Sequence, residues 1–132
     1  MSGQRRQQVL LVEDEPLLRQ TVAESLEDEG YSVLEAGTGE EALQLIRLHA
    51  GHIDWLMTDI RLPGPLDGWH VAFEFRFVHP LRPVIYVTGY APPMPPMVSG
   101  SVFLRKPYDV AHVKAALRDL TARLESGPPS AG

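Results

Sequence analysis

Short apolar runs recur along the chain, each giving way to a polar or charged residue. They are Val9-Leu10-Leu11-Val12, Tyr31 to Leu34, Trp55-Leu56-Met57-Thr58, Val84-Ile85-Tyr86-Val87 and Val102-Phe103-Leu104. A continuous apolar run of this length, without polar alternation, belongs to a strand buried on both faces. That demands cover above and below the sheet, and the segments between the runs supply it.

Those segments carry helical periodicity. Pro16 suits a first helical turn, Leu18, Val22 and Leu26 follow on one stripe, and Gly30 is a stop. Thr38 and Glu41 have capping-box spacing, with Ala42, Leu43 and Ile46 as the apolar face behind them. After the turn Pro63-Gly64-Pro65, a helix is expected from about Asp67 to Val78, with Ala72 and Phe75 facing the core. Asp109 can cap a last helix whose stripe is Val110, Val113, Leu117, Leu120 and Leu124. Strands alternating with helices imply an α/β fold, a doubly wound five-stranded parallel sheet. In such folds ligands bind outside the carboxyl ends of the strands.

The chain has 132 residues, the length of one domain. The expected organisation is a flexible N-terminus over 1–7, a domain over 8–125 and a flexible Ser/Gly/Pro tail over 126–132. A formal net charge of −5 argues against nucleic acid or an anionic membrane as partner. The absence of Cys removes disulfides, thiol catalysis and Cys-ligated zinc. No apolar run approaches membrane-spanning or signal-peptide length, so a cytoplasmic setting is expected. The five histidines, His49, His52, His70, His79 and His112, form no ligand set and read as surface or filler.

The residues at the strand ends carry the chemistry. Glu13 and Asp14 follow the first run, Asp59 ends the third, Thr88 the fourth and Lys106 the fifth. Three adjacent carboxylates raise one another's pKa unless a hard divalent cation relieves them, and Mg²⁺ is the usual choice. A carboxylate can act as a nucleophile toward phosphorus. Phosphoryl transfer then needs a cation and a neutral donor on the phosphoryl oxygens, which Lys106 and Thr88 can provide.

With Glu13-Asp14, Asp59-Ile60-Arg61-Leu62-Pro63, Asp67-Gly68, Thr88-Gly89 and Lys106-Pro107 in this order, the chain resembles the receiver domains of two-component response regulators over about residues 8–124. The resemblance implies the flavodoxin-like receiver fold with sheet order 2-1-3-4-5. It implies that Asp59 accepts the phosphoryl group. Glu13, Asp14, Asp59 and the backbone carbonyl of Arg61 would bind Mg²⁺ or Mn²⁺. Thr88 and Lys106 would bind the phosphoryl group, Thr88 and Phe103 would form the switch, and the Lys106–Pro107 bond would be cis. The implied donor is a sensor histidine kinase or a histidine phosphotransfer protein. Within a chain of this length, output is expected through protein contacts or as a phosphate shuttle or sink.

Three departures from the family pattern follow. The loop Pro63-Gly64-Pro65-Leu66-Asp67 is one residue longer than usual. Prolines 92, 93, 95 and 96 replace the usual fourth helix, predicting a Pro-rich loop or at most one turn. Trp69, Phe73 and Phe77 form an aromatic stripe at i, i+4, i+8 on the third helix. The Pro-Met segment over 91–100 covers that stripe, or the stripe meets a partner. The stripe and the apolar last helix point to a homodimer as one form of such contact. Arg61 and Tyr90, each two residues beyond a site residue, are placed to shield an acyl phosphate and slow its hydrolysis.

Other function classes compete. An Asp-nucleophile phosphatase would place an acid two residues after its nucleophile on the first strand, where Pro16 follows Asp14. The expectation is therefore a signalling phospho-acceptor, not an enzyme. A flavodoxin-like cofactor binder would want a hydroxyl- and glycine-rich loop where Glu13-Asp14-Glu15 stands. A phosphorylation-independent scaffold on the same fold remains the alternative.

Overall fold

The computed structural model describes residues 6–89 and 98–126. Its elements run β1 (Gln8–Val12), α1 (Pro16–Asp28), β2 (Ser32–Ala36), α2 (Gly39–Leu48), β3 (Trp55–Asp59), α3 (Gly68–Val78), β4 (Val84–Thr88), β5 (Ser101–Arg105) and α4 (Val110–Ser126). The strands form one parallel sheet in the order β2-β1-β3-β4-β5.

Alternation along each strand sorts the side chains into two cores. Leu10, Val12, Leu56, Val84 and Tyr86 pack with Ala42 and Ile46 of α2 and Val71, Ala72 and Phe75 of α3. Val9, Leu11, Trp55, Met57, Ile85 and Val87 pack with Ala23 and Leu26 of α1 and Val113, Leu117 and Leu120 of α4. Cover on both faces is why β1, β3 and β4 tolerate so few polar residues.

The helix ends follow local chemistry. Gly30 takes φ 99°, while its amide donates to Glu27 O and that of Tyr31 to Leu26 O, closing α1. Thr38 accepts from Glu41 N at 3.1 Å as expected, but the Glu41 carboxylate receives the Gly37 amide at 2.7 Å, one residue earlier than a standard box. Asp67 accepts from His70 N, and Asp109 likewise from His112 N. His70 and His112 are thus N-terminal cap partners, and His79 is buried beside Phe75.

At the two ends, the Gln7 carbonyl accepts from Ser32 N, and α4 runs through Ser126. Residues 1–5, 127–132 and Tyr90 to Met97 lie outside the described residues, so the expected frayed terminus, most of the tail and nearly all of the Pro-rich loop do too. Among the described residues there are four helices.

Arg76 of α3 ties the far end of this face together. Its guanidinium donates to the carbonyls of His79 (2.7 Å), Arg82 (2.6 Å), Ser99 and Gly100 (3.3 Å). Burial depresses its pKa, and four carbonyl acceptors take the place of a carboxylate. Nothing in the sequence distinguished this arginine from a surface one.

Candidate functional site

The strand ladders continue into the connecting loops and fix the site's backbone. Glu13 N donates to Ala36 O (3.0 Å), Ile60 N to Val87 O (3.1 Å) and Lys106 N to Thr88 O (2.8 Å). The loops after β1, β3, β4 and β5 therefore meet at one edge, where the sheet order changes direction between β1 and β3.

Asp14, Asp59, Arg61, Thr88 and Lys106 line one cleft of about 210 Å³, with Val87 and Gly89. Glu13 is buried and reaches the cleft's Lys106. One oxygen from each of Glu13, Asp14 and Asp59 falls within 4.8 Å of the others. The acidic pair is unequal: Glu13 and Asp59 are buried, whereas Asp14 is exposed. Lys106 Nζ stands 3.0 Å from Glu13 Oε1 and 3.1 Å from Asp59 Oδ1, bridging the two buried acids.

Burial pushes the Asp59 carboxyl from 3.8 up to about 8; the hydrogen bond and negative charge of Glu13 add to this, and Lys106 opposes it. Burial pushes Glu13 the same way. Its hydrogen bonds to Asp59, the Glu15 amide and Lys106 outweigh that and hold it below the usual carboxylate range. Burial lowers Lys106, and its two acidic partners more than reverse this. Lys106 alone does not offset both charges, so the pair keeps one proton, on Asp59, at neutral pH. A clustered set of hard oxygens that cannot all ionise together fits Mg²⁺ or Mn²⁺.

Three neighbours support the site, and of these the sequence singled out only Gly68. Arg19 supports β1's end by donating to Glu13 O at 2.8 Å and pairing with Glu35 at 3.3 Å. Tyr108, after the cis Lys106–Pro107 bond, has its phenol pKa raised by burial and then by Asp59 and Glu13. Gly68 presses on the site from α3: a Cβ there would stand 2.0 Å from Asp59 O, and its amide donates to Ile60 O at 2.7 Å. The pair Asp67-Gly68 signalled this contact without revealing its tightness.

The remaining predicted positions lie farther out. Phe103 lies against Tyr86 and Trp69, not in the cleft. The aromatic stripe divides. Trp69 turns inward, with its ring 4.7 Å from Tyr86, while Phe73 and Phe77 are 69% and 78% exposed. Helical geometry explains this: each step of four residues drifts by roughly 40°, so a stripe beginning beside the core face leaves it by Phe77. Tyr90 lies outside the described residues.

Comparisons with known proteins place the chain in a family. The family model of the response regulator receiver domain matches residues 9–118. The sensor kinase CckA of Brucella abortus is 33% identical over 116 residues, 85% of this chain and 12% of that protein. The transcriptional regulatory protein PdtaR of Mycobacterium tuberculosis is 37% identical over 84 residues, 63% of this chain and 39% of that protein. The chain thus spans well under half the length of these relatives. A receiver protein from Sinorhizobium medicae superposes with TM-score 0.80 at 30% identity, covering 91% of this chain and 98% of that one. The receiver domain of the hybrid histidine kinase CckA gives 0.74 at 35% identity, with 86% and 97% covered. The chain belongs to the response regulator receiver domain family of two-component signalling.

Proposed function

We propose that this chain accepts a phosphoryl group on Asp59 from a histidine kinase or phosphotransfer protein, with residues 8–125 as the acting module. The observation that carries this is a buried Asp59 on a cleft shared with Asp14, Thr88 and Lys106, with Lys106 Nζ at 3.1 Å. A carboxylate oxygen of Asp59 forms a bond to phosphorus, and the bond from phosphorus to the donor breaks. The donor leaves with that electron pair, and the product is an acyl phosphate. Lys106 neutralises the phosphoryl oxygens, and the Thr88 hydroxyl donates to one of them.

Asp59 must ionise before it can attack, and its pKa of about 8 shows the obstacle. Glu13, Asp14, Asp59 and the Arg61 carbonyl would hold Mg²⁺ or Mn²⁺, which supplies the positive charge that favours ionisation and offsets phosphoryl charge. Thr88 and Phe103 form the switch. Arg61, with Tyr90, slows hydrolysis of the product, and a lifetime of seconds in Mg²⁺ would contradict that role. Phe73 and Phe77 offer the contact surface, to a partner or to a second copy. The chain turns over no separate substrate.

The test is intact mass after incubation with a small phosphoryl donor, with and without Mg²⁺, beside Asp59→Asn. One Mg²⁺-dependent adduct, absent in the variant, is expected. No adduct, together with no binding of beryllofluoride, would move the reading to a phosphorylation-independent scaffold.

A further inference from the structure

We infer that Trp69 is a positioning residue that reports the state of Asp59 to Phe103 and to the chain around Val98–Gly100. This rests on the phospho-acceptor reading of Asp59 and adds a route by which its state leaves the site.

The route begins at a contact without slack. Gly68 lies so close to Asp59 that a Cβ would meet its carbonyl at 2.0 Å, and the Gly68 amide is bonded to Ile60 O. The first turn of α3 is therefore fastened to the backbone of the phospho-acceptor, and Trp69 is the next residue. Its indole stands 4.7 Å from the Tyr86 ring and 5.9 Å, edge-on, from Phe103; Tyr86 and Phe103 are themselves 5.3 Å apart. These are the separations of rings in mutual contact. One ring comes from α3, one from β4 two residues before Thr88, and one from β5 three residues before Lys106.

The far end is also fixed. Tyr86 is fully buried, and its hydroxyl accepts from the Val98 amide at 3.2 Å. Arg76, two turns along α3 from Trp69, donates to the carbonyls of Ser99 and Gly100. Helix α3 thus grips the phospho-acceptor at its start and the approach to β5 farther along. A close-packed interior passes a displacement on rather than absorbing it. A shift of Asp59 against Gly68 moves Trp69, and the half-buried indole passes it to the two rings it packs on, Tyr86 and Phe103. Linkage is reciprocal, so loosening the rings must alter affinity at Asp59.

The chain has two tryptophans, and the second is a built-in control. Trp55 lies in the other core, edge-on to Tyr31. The experiment is fluorine NMR of the full chain labelled with 5-fluorotryptophan, titrated with Mg²⁺ and beryllofluoride, with Trp69→Phe assigning the resonances. The expected result is a Trp69 resonance that shifts in step with the bound-fluoride signal while Trp55 stays in place. Trp69→Leu should change beryllofluoride affinity by on the order of 5-fold. A bound-fluoride signal with a stationary Trp69 resonance would overturn the inference and leave the phospho-acceptor reading standing. No bound-fluoride signal at saturating probe would overturn both. If Trp69→Leu does not fold, the resonance shift in the parent chain decides alone.

Discussion

Replacing Asp59 by Asn should stabilise the metal-free protein, and the gain should grow with pH. The carboxyl is 5% exposed and its pKa stands at about 8 against an ordinary 3.8. That gap corresponds to roughly 6 kcal/mol of unfavourable free energy once the group is ionised in the folded state. Glu13 is held low and Lys106 high by the same contacts, so the variant gives up part of the gain. A net stabilisation of about 1–3 kcal/mol is expected, the range seen when buried charge is replaced by neutral groups. The sign follows from proton counting. Below about pH 4 both folded and unfolded states hold the proton, and the two proteins differ little. Between about 4 and 8 the folded parent keeps a proton that its unfolded chain has released, so the parent loses stability as pH rises. Above about 8 the difference levels off. Urea denaturation of both proteins in chelator, across that range, gives the difference directly. A variant that is less stable than its parent at pH 8, or a difference that does not vary with pH, would refute the reasoning.

Three further outcomes are expected. Mg²⁺ needs the carboxylates unprotonated, so its apparent affinity should rise with pH up to about 8 and by at most about tenfold per pH unit; calorimetry in buffers of different ionisation enthalpy should show proton release, and a pH-independent affinity would contradict the Asp59 assignment. Gly68→Ala forces a Cβ against Asp59 O at 2.0 Å, so it should cost about 3 kcal/mol or more in urea denaturation. Arg76→Met removes the guanidinium from four carbonyls, of which Gly100 O keeps the Val84 amide, and should cost about 2–4 kcal/mol, with faster hydrogen exchange at that amide.

The sheet was legible because burial on both faces writes an unmistakable run of apolar residues. The run Val9 to Val12 marks β1 and Val84 to Val87 marks β4, each extended by one residue in the structure. The second strand was displaced, expected from Tyr31 and observed over Ser32–Ala36, because an edge strand is only half-buried and its pattern is weaker. That the candidate residues share one edge was legible because each ends or follows a strand, and topology carries strand ends to one edge.

Contact-level chemistry was not legible. Lys106 meets Glu13 across 93 positions of sequence, and only the fold makes that a 3.0 Å contact. Spacing showed three carboxylates at one edge but not that Glu13 and Asp59 would be buried and Asp14 exposed. The aromatic stripe divides for a geometric reason. Side chains four apart look aligned in a list, yet the buried face of α3 runs through Val71, Ala72 and Phe75. Trp69 reaches Tyr86 and Phe103 from beside that face, while Phe77 has rotated away from it.

The most direct test of the central claim locates the phosphoryl group on the chain. Protein treated with a small phosphoryl donor and Mg²⁺ is reduced with borohydride, which converts an aspartyl phosphate to homoserine, and its peptides are read by mass. The account predicts homoserine at position 59 in the parent and none in Asp59→Asn. Reduction products at Asp14 or another acid, with position 59 intact, would contradict it.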